Sequence, residues 1–391
     1  MDDRRTSLLI VGGGIAGLAT ALATAKNGTE VTVLEASPEF GEVGAGIQLG
    51  PNATLALKQL GVFDAIAELS VFPESLVYMD ALSGDQITSV DLGQPFLDRY
   101  KHPYIVLHRG DLHRVLLEAC NGQPSILLET DSRVEAIDDL GDRVVCRTDR
   151  GTEYTADAVV GADGLRSVAR SRISDDEPIA NGYVAYRGTL PVSDITPHAG
   201  MESVVMWVGP GLHLVQYKIR GGELYNQVGV FRSEMYGKSD DWGTPDELDE
   251  HFGQCCDPVR VGASKLGRAL RWPMADREPL TNWSDNRVTL LGDAAHAMLQ
   301  YLAQGGCQAL EDSLCLARAL SQDQDWVEAF GSYQNERIPR TTDVVRNARW
   351  FGEFCHLSGV ARDVRNAFLG ERSPQDYERL DWLYAHDPQS N

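Results

Sequence analysis

The stretch "SLLIVGGGIAGLATALATAKNGTEVTVLEA", residues 7–36, decides the fold. Ser7 to Val11 is a short apolar run ending in three glycines, the pattern of a buried strand meeting a tight turn. Leu18 to Asn27 follows as a helical stretch, with Gly28 as its stop. "EVTVLEA" is a second strand that ends at Glu35. Strand, helix and strand enclose GxGxxG at Gly12, Gly14 and Gly17, the spacing of a dinucleotide-binding unit. Gly12 makes the turn and Gly14 lets the backbone approach a pyrophosphate. Ala16 stands in the same loop, and Gly17 packs the helix on the strand. The helix start supplies amide donors and a positive dipole. Glu35, eighteen residues past Gly17, is placed for a ribose diol, which NAD and FAD both carry.

Composition narrows the class. The chain has 391 residues, 43% apolar and 24% charged, with length for two or three domains. A net charge of -22 opposes nucleic acid and anionic membranes, so any anionic ligand must be caught locally. Seven cysteines without a CxxC indicate neither a disulfide framework nor a zinc site, and no metal is expected. A reducing cytoplasm fits. Arg4-Arg5 before the uncharged run Thr6 to Ala25 imitates a twin-arginine signal. The glycine spacing and the downstream acid favour strand, turn and helix instead. No integral membrane segment is expected.

Two later motifs bear on which dinucleotide binds. "DRVVCRTDRGTEYTADAVVGADGLRSVAR" (142–170) reads as a hairpin turning at Asp149-Arg150-Gly151, then a buried strand ending in Gly161-Ala162-Asp163-Gly164. "NRVTLLGDAAH" (286–296) is a buried strand ending in Gly292-Asp293. Gly305-Gly306 then precedes a helix whose bare amides would face negative charge. Glu311 and Asp312 are expected in its first turn, where acids suit the dipole. The three motifs, in this order, resemble those of the class A flavin-dependent aromatic hydroxylases, over nearly the whole chain. The resemblance implies FAD, with Asp163 beside it and Asp293 on its ribityl or ribose hydroxyls. It also implies an isoalloxazine ring against Gly305 and Gly306. Residues 41–61 are similar to the family's loop and helix beside the flavin. "HRGDLHRVLLEA" places Arg109 near ribityl and phosphates, although alone it also reads as a surface ion-pair residue. Ala36 departs from the arginine or glutamine many members carry.

The implied fold is α/β: a Rossmann-like FAD-binding domain of the p-hydroxybenzoate hydroxylase type, a mostly antiparallel substrate sheet, and C-terminal helices. The expected divisions are 1–73, 97–178 and 274–330 for the first, 74–96 and 179–273 for the second, and 331–391 for the third. From Gly182 to Trp272 the sequence alternates like antiparallel strands. His213, Val215 and Tyr217 share one strand face by period two. From spacing alone His213 also reads as a core histidine, and the tyrosines as sheet packing.

"HPYIVLHRGDLH", "GPGLHLVQY" and "LQYLA" are most similar to stretches of the 3-hydroxybenzoate 6-hydroxylases and more distantly to salicylate hydroxylases. The resemblance makes His213 the base on a phenol, with Gln300 holding the ring or its hydroxyl. Tyr104 and Tyr217 would line the pocket. Ala297 and Gln304 stand where near relatives differ. His296 reads as structural. The implied reaction uses NADH or NADPH and O2 through a flavin C4a-hydroperoxide, converting 3-hydroxybenzoate to gentisate. Another hydroxyaromatic substrate, or a flavoprotein that binds an aromatic ligand without hydroxylating it, is the alternative. At the carboxyl end, Val344, Ala348, Phe351 and Cys355 recur at helical spacing. They read either as packing on the main domains or as the face of an expected homodimer.

Overall fold

The computed structural model describes residues 5–41, 45–195, 201–323 and 325–388. Arg4, residues 42–44 of the expected flavin-side loop, and the outermost residues of the first and third divisions lie outside them. Among the described residues, one sheet has eight strands. Val288–Leu290, Glu153–Gly161, Arg5–Val11, Val31–Leu34 and Ile126–Glu129 run parallel as its centre. Leu8, Leu9 and Ile10 are wholly buried, as befits a parallel strand covered on both faces. Helix Ile15–Ala25 packs between helices Arg109–Asn121 and Gly305–Gln322. Thr20 and Ser313 join it to the latter through hydroxyls 3.0 Å apart.

The second sheet has seven strands, in the order Trp272–Asp276, Ile179–Pro191, Leu224–Arg232, Leu212–Ile219, Val204–Gly209, Ser75–Asp80 and Gln86–Asp91. All its pairs are antiparallel except Val204–Gly209 with Ser75–Asp80. The stretch from Gly182 to Trp272 is not strand throughout. Helices Pro245–Gly253 and Asp257–Ser264 interrupt it, the first opened by a capping box of Thr244 and Glu247. They cover the sheet's outer face, where Leu214, Phe231, Phe252 and Val259 pack together. His213, Val215 and Tyr217 alternate to the other face and line a cavity. Burial on both faces explains why the strand lacks a solvated polar side.

Trp326–Cys355 is one helix of 30 residues, unbroken across the 330/331 division drawn from the sequence. Val344, Ala348 and Cys355 are buried, so their stripe packs inward.

Glu311 and Asp312 correct an expectation. The helix begins at Gly305, which places both acids in its interior, wholly buried. Arg337, also wholly buried, donates to Glu311 Oε2 at 2.6 Å and to Asp312 Oδ1 at 2.7 Å. Arg340 Nε adds a bond to Glu311 Oε2 at 2.6 Å. Asp312 Oδ2 accepts from the Gly292 amide at 3.0 Å and lies 2.6 Å from His296 Nε2. Tertiary charge pairing, not the helix dipole, selects these acids. His296 thereby joins the fold's scaffold.

Burial pushes the Glu311 carboxyl up, but Arg337 and Arg340 outweigh it and hold it down at about 2. Arg337→Met would strand two buried carboxylates, at a cost on the order of 3–5 kcal/mol. A carboxyl depressed in the fold stabilises above its ordinary value of 4.5 and loses that contribution as pH falls toward about 2. The wild-type advantage in thermal unfolding should therefore be full at neutral pH and shrink in acid. Equal stability of the two proteins at neutral pH would contradict this account.

Candidate active site

One cavity of about 1050 Å³ is lined by residues of both sheets. Ligand sites commonly hold roughly 300–1,000 Å³, so this one is large enough for an extended cofactor beside a small ligand. Gly12, Gly14, Ala16 and Glu35 line its nucleotide-loop end. Arg109, Asp163, Asp293, Gly305 and Gly306 follow. Tyr104, His213, Tyr217 and Gln300 line the part against the second sheet. Of the residues given a catalytic or binding role from sequence, Gly17 alone does not line the cavity. It acts by packing, since a Cβ there would fall 1.9 Å from the Gly12 carbonyl oxygen. Ala297 is buried and outside the lining. Gln304 is in it, but its Oε1 accepts from Asn52 and Gln308 at 3.0 Å.

The charge pattern suits a dinucleotide. Helices Ile15–Ala25 and Gly305–Gln322 both begin at this cavity, and neither has a side-chain cap. Their first amides stay available to an anion. Gly12 takes φ +111°, and its missing Cβ would lie 2.3 Å from the Ala162 oxygen. Glu35 Oε2 accepts from the Gly13 amide at 2.9 Å, and Oε1 accepts from the Ser37 amide at 2.8 Å. This fixes the carboxylate at the strand end, beside the cavity. Asp293 is exposed there, so its carboxylate is open to the cavity. Asp163 is turned onto its own loop, accepting from Ser167 Oγ at 2.5 Å and the Val168 amide at 2.6 Å. Burial pushes its carboxyl up. It shapes the loop more than it offers a free carboxylate.

The second sheet supplies a different chemistry. Tyr104 donates to Gln48 Oε1 at 2.7 Å, and Tyr217 also hydrogen-bonds Gln48. Burial pushes both phenols up, so they remain neutral donors. Gly46 leaves room for Tyr217, since a Cβ there would meet its ring at 2.6 Å. His213 is 1% exposed, and burial pushes it down to about 3, so its imidazole is neutral. Its Nδ1 lies 2.8 Å from His356 Nε2, which leaves Nε2 for a ligand.

Four features escaped sequence reasoning: Gln48, Arg187, Tyr301 and His356. Arg187 is opposite Val228, and Val228 opposite Val215, in three neighbouring strands. Its side chain therefore shares the cavity face with His213 and Tyr217. The guanidinium lies 5.4 Å over the Trp272 ring, and its Nε has no hydrogen-bond partner. Burial, then Arg109, lowers its pKa, while Tyr217 opposes. The arginine in "VAYRG" was a visible signal, since period two puts it on the same face as Ala185.

Among the described residues no His, Cys, Asp and Glu cluster suits a metal ion, and no helix is long and apolar enough to cross a membrane. The FAD binding domain family model matches residues 5–348. The chain is 41% identical over 383 residues to 3-hydroxybenzoate 6-hydroxylase of Klebsiella oxytoca, covering 96% of each chain. It is 39% identical over 392 residues to 3-hydroxybenzoate 6-hydroxylase of Polaromonas naphthalenivorans, covering 98% of each. The crystal structure of Klebsiella pneumoniae HpxO with FAD and uric acid is similar at a TM-score of 0.84 and 25% identity, over 96% of this chain and 94% of that one. Two uncapped helix starts, a strand-end acid and an aromatic pocket in one cavity fit FAD and a ring substrate. The chain belongs to the FAD-dependent aromatic monooxygenase family.

Proposed function

We propose that this chain converts 3-hydroxybenzoate to 2,5-dihydroxybenzoate, using NADH or NADPH and O2. The observation that carries the reading is a neutral buried histidine and, on the same cavity face, an arginine whose Nε has no hydrogen-bond partner among the described residues. The names of the relatives at 37–41% identity support the same substrate. When bound, FAD supplies the two-electron reduction of O2 and delivers one oxygen atom to the ring. The other atom leaves as water, and the nicotinamide is oxidised.

The chain's own part is orientation and proton control. His213 Nε2 accepts the phenol hydrogen bond. A phenol holds its proton to about pH 10, far above this imidazole, so transfer grows only as the ring loses electron density. Gln300 steadies the ring edge. Arg187 catches the carboxylate, with the neutral Tyr217 beside it as a donor. Strands lie about 4.8 Å apart, so Arg187 stands roughly 10 Å across from Val215, within reach of a benzoate held between them. The uncapped amides of helix Gly305–Gln322 would hold the flavin end of FAD, and Gly12, Gly14, Ala16, Glu35, Arg109 and Asp293 would hold the rest of the dinucleotide. Asp163 supports the neighbouring loop.

A homodimer is part of the proposal. Val360, Val364 and Phe368 recur on helix Gly359–Gly370 at 78%, 62% and 49% exposure, beside Trp350 at 58%. A second copy would cover this stripe and shield the cavity mouth, which Trp350 and Phe368 line. The cysteines are free thiols, in keeping with a cytoplasmic setting.

Among hydroxybenzoates, the 3-isomer should stimulate NADH oxidation most and give 2,5-dihydroxybenzoate on chromatography; another preferred ring would overturn the assignment. His213→Ala should keep FAD and slow product formation by about 10²-fold or more, while NADH oxidation continues to H2O2. Full coupling in that variant would refute the base. Arg187→Gln should raise KM for hydroxybenzoates about 10–100-fold, the worth of one charged hydrogen bond, and leave phenols lacking a carboxylate unaffected. An unchanged KM would remove Arg187 from the substrate site. Light scattering should give twice the chain mass for the wild type and the chain mass for Val364→Glu; a monomeric wild type would end the dimer proposal.

A further inference from the structure

His213 does not stand alone on its strand. His356 lies just beyond the C-terminus of helix Trp326–Cys355, 143 residues away in sequence. The two rings are stacked, with centroids 5.1 Å apart and planes at 19°. Tyr183 stacks on His356 at 4.7 Å and 23°. Tyr301 sits against both imidazoles, at 5.4 Å and 5.5 Å. Two devices fix this arrangement. Gly352 makes room for Tyr301, since a Cβ there would fall 2.4 Å from its ring. Arg365, 2% exposed, donates to the Phe354 and Cys355 carbonyls and closes the helix end that carries His356.

A single proton lies between His213 Nδ1 and His356 Nε2. If His213 holds it, His213 Nε2 carries a lone pair and accepts from a phenol. If His356 holds it, the neutral His213 carries its hydrogen on Nε2 and donates. Only the first arrangement serves a base. We propose that His356 is a positioning residue that sets the tautomer of His213: its Nε2 accepts the His213 Nδ1 hydrogen, so that the His213 Nε2 lone pair faces the substrate phenol. The assignment rests on the reading of His213 as the base.

The surroundings say why His356 positions and does not itself take a net proton. It is 8% exposed, and its Nδ1 has no hydrogen-bond partner. Among the described residues, the charged or titratable groups packed about it are Tyr183, Tyr301, Cys355, His213 and Arg365. None is a carboxylate, and Arg365 is a cation. Burial, His213 and Arg365 all push His356 well below its ordinary range. An imidazolium there would be stranded, whereas a neutral acceptor is stable. The phenol hydrogen bond and the His213–His356 bond then polarise one another in a chain.

The test uses the FAD-loaded enzyme with two substitutions of opposite chemistry. His356→Gln keeps an acceptor oxygen; His356→Phe keeps the stacked ring and removes the acceptor. His356→Phe should retain FAD and bind hydroxybenzoate within about threefold of wild type, yet form product per NADH oxidised at least about tenfold less well. Groups that orient a catalytic imidazole carry effects up to about 10⁴-fold. His356→Gln should recover most of the coupling. Normal coupling in His356→Phe, or equal failure of both variants, would overturn the proposal. A measurement free of folding effects is nitrogen-15 NMR of histidine-labelled wild type with hydroxybenzoate bound. Hydrogen on Nδ1 and a bare Nε2 at His213 is expected, and the reverse would overturn the proposal. If His213→Ala couples fully, the base reading fails instead, and the NMR tautomer judges the positioning role by itself.

Discussion

The guanidinium of Arg337 sits where no water reaches, between Glu311 and Asp312, and the cofactor end of the molecule is built around it. A cluster of buried charges is a weak source of net stability, because desolvation consumes most of the attraction. What it supplies is position. Asp312 holds the Gly292 amide with one oxygen and Arg337 with the other. The loop carrying Asp293 is thereby tied to the helix whose first amides open on the same cavity. Asn52 donates to Glu311 at 2.6 Å and brings the helix Pro51–Gln59 into the cluster. Two separate features of the cavity lining, the Asp293 carboxylate and a row of bare amides, thus keep a fixed separation.

That arrangement answers a difficulty set by composition. A chain with a net charge of -22 repels anions at long range. It nonetheless belongs to a family whose cofactor carries two phosphates. Local donors resolve the conflict, since uncapped helix starts act within a turn of the helix and do not depend on net charge. Arg109 and Arg187 extend the positive character along the cavity, toward the second sheet. The two ends of the cavity therefore carry different devices for negative charge: backbone amides at one, a guanidinium over Trp272 at the other.

Legibility in the sequence followed the range of the forces involved. The loop from Gly12 to Gly17 was readable because turn geometry and helix packing act over a few residues. The cavity face of Leu212–Ile219 was readable because side chains alternate in every strand. His356 and Gln48 were not, for each gains its meaning from a strand or helix distant in the chain, and Arg187 showed only its strand face. Glu311 and Asp312 show the limit clearly. A local rule assigns acids near a helix start to the dipole, yet two arginines one helix later claim them. The helices Pro245–Gly253 and Asp257–Ser264 were missed within a region whose flanking strands set the pattern. Their apolar residues cover the outer face of the sheet.

The two sheets also divide the electrostatic work between them. On the first, charged groups are paired or fixed: Glu35 by two amides, Asp163 by its own loop, Asp312 by Arg337. On the second, the groups facing the cavity near His213 are held neutral by burial, tyrosines pushed up and imidazoles pushed down. A neutral, water-poor wall is what a proton shared between phenol and imidazole needs. In such surroundings a hydrogen bond strengthens as charge develops, while a full ion pair stays costly. Arg187 is the exception on that wall, a cation whose Nε lacks a partner, and under the proposed function it would give the site its demand for an anionic group on the ring. Under the proposed function the neutral pair would tune the phenol end and Arg187 would select the carboxylate end. His213 and Arg187 stand on one face of the sheet with strand Leu224–Arg232 between theirs, so the sheet itself fixes their separation.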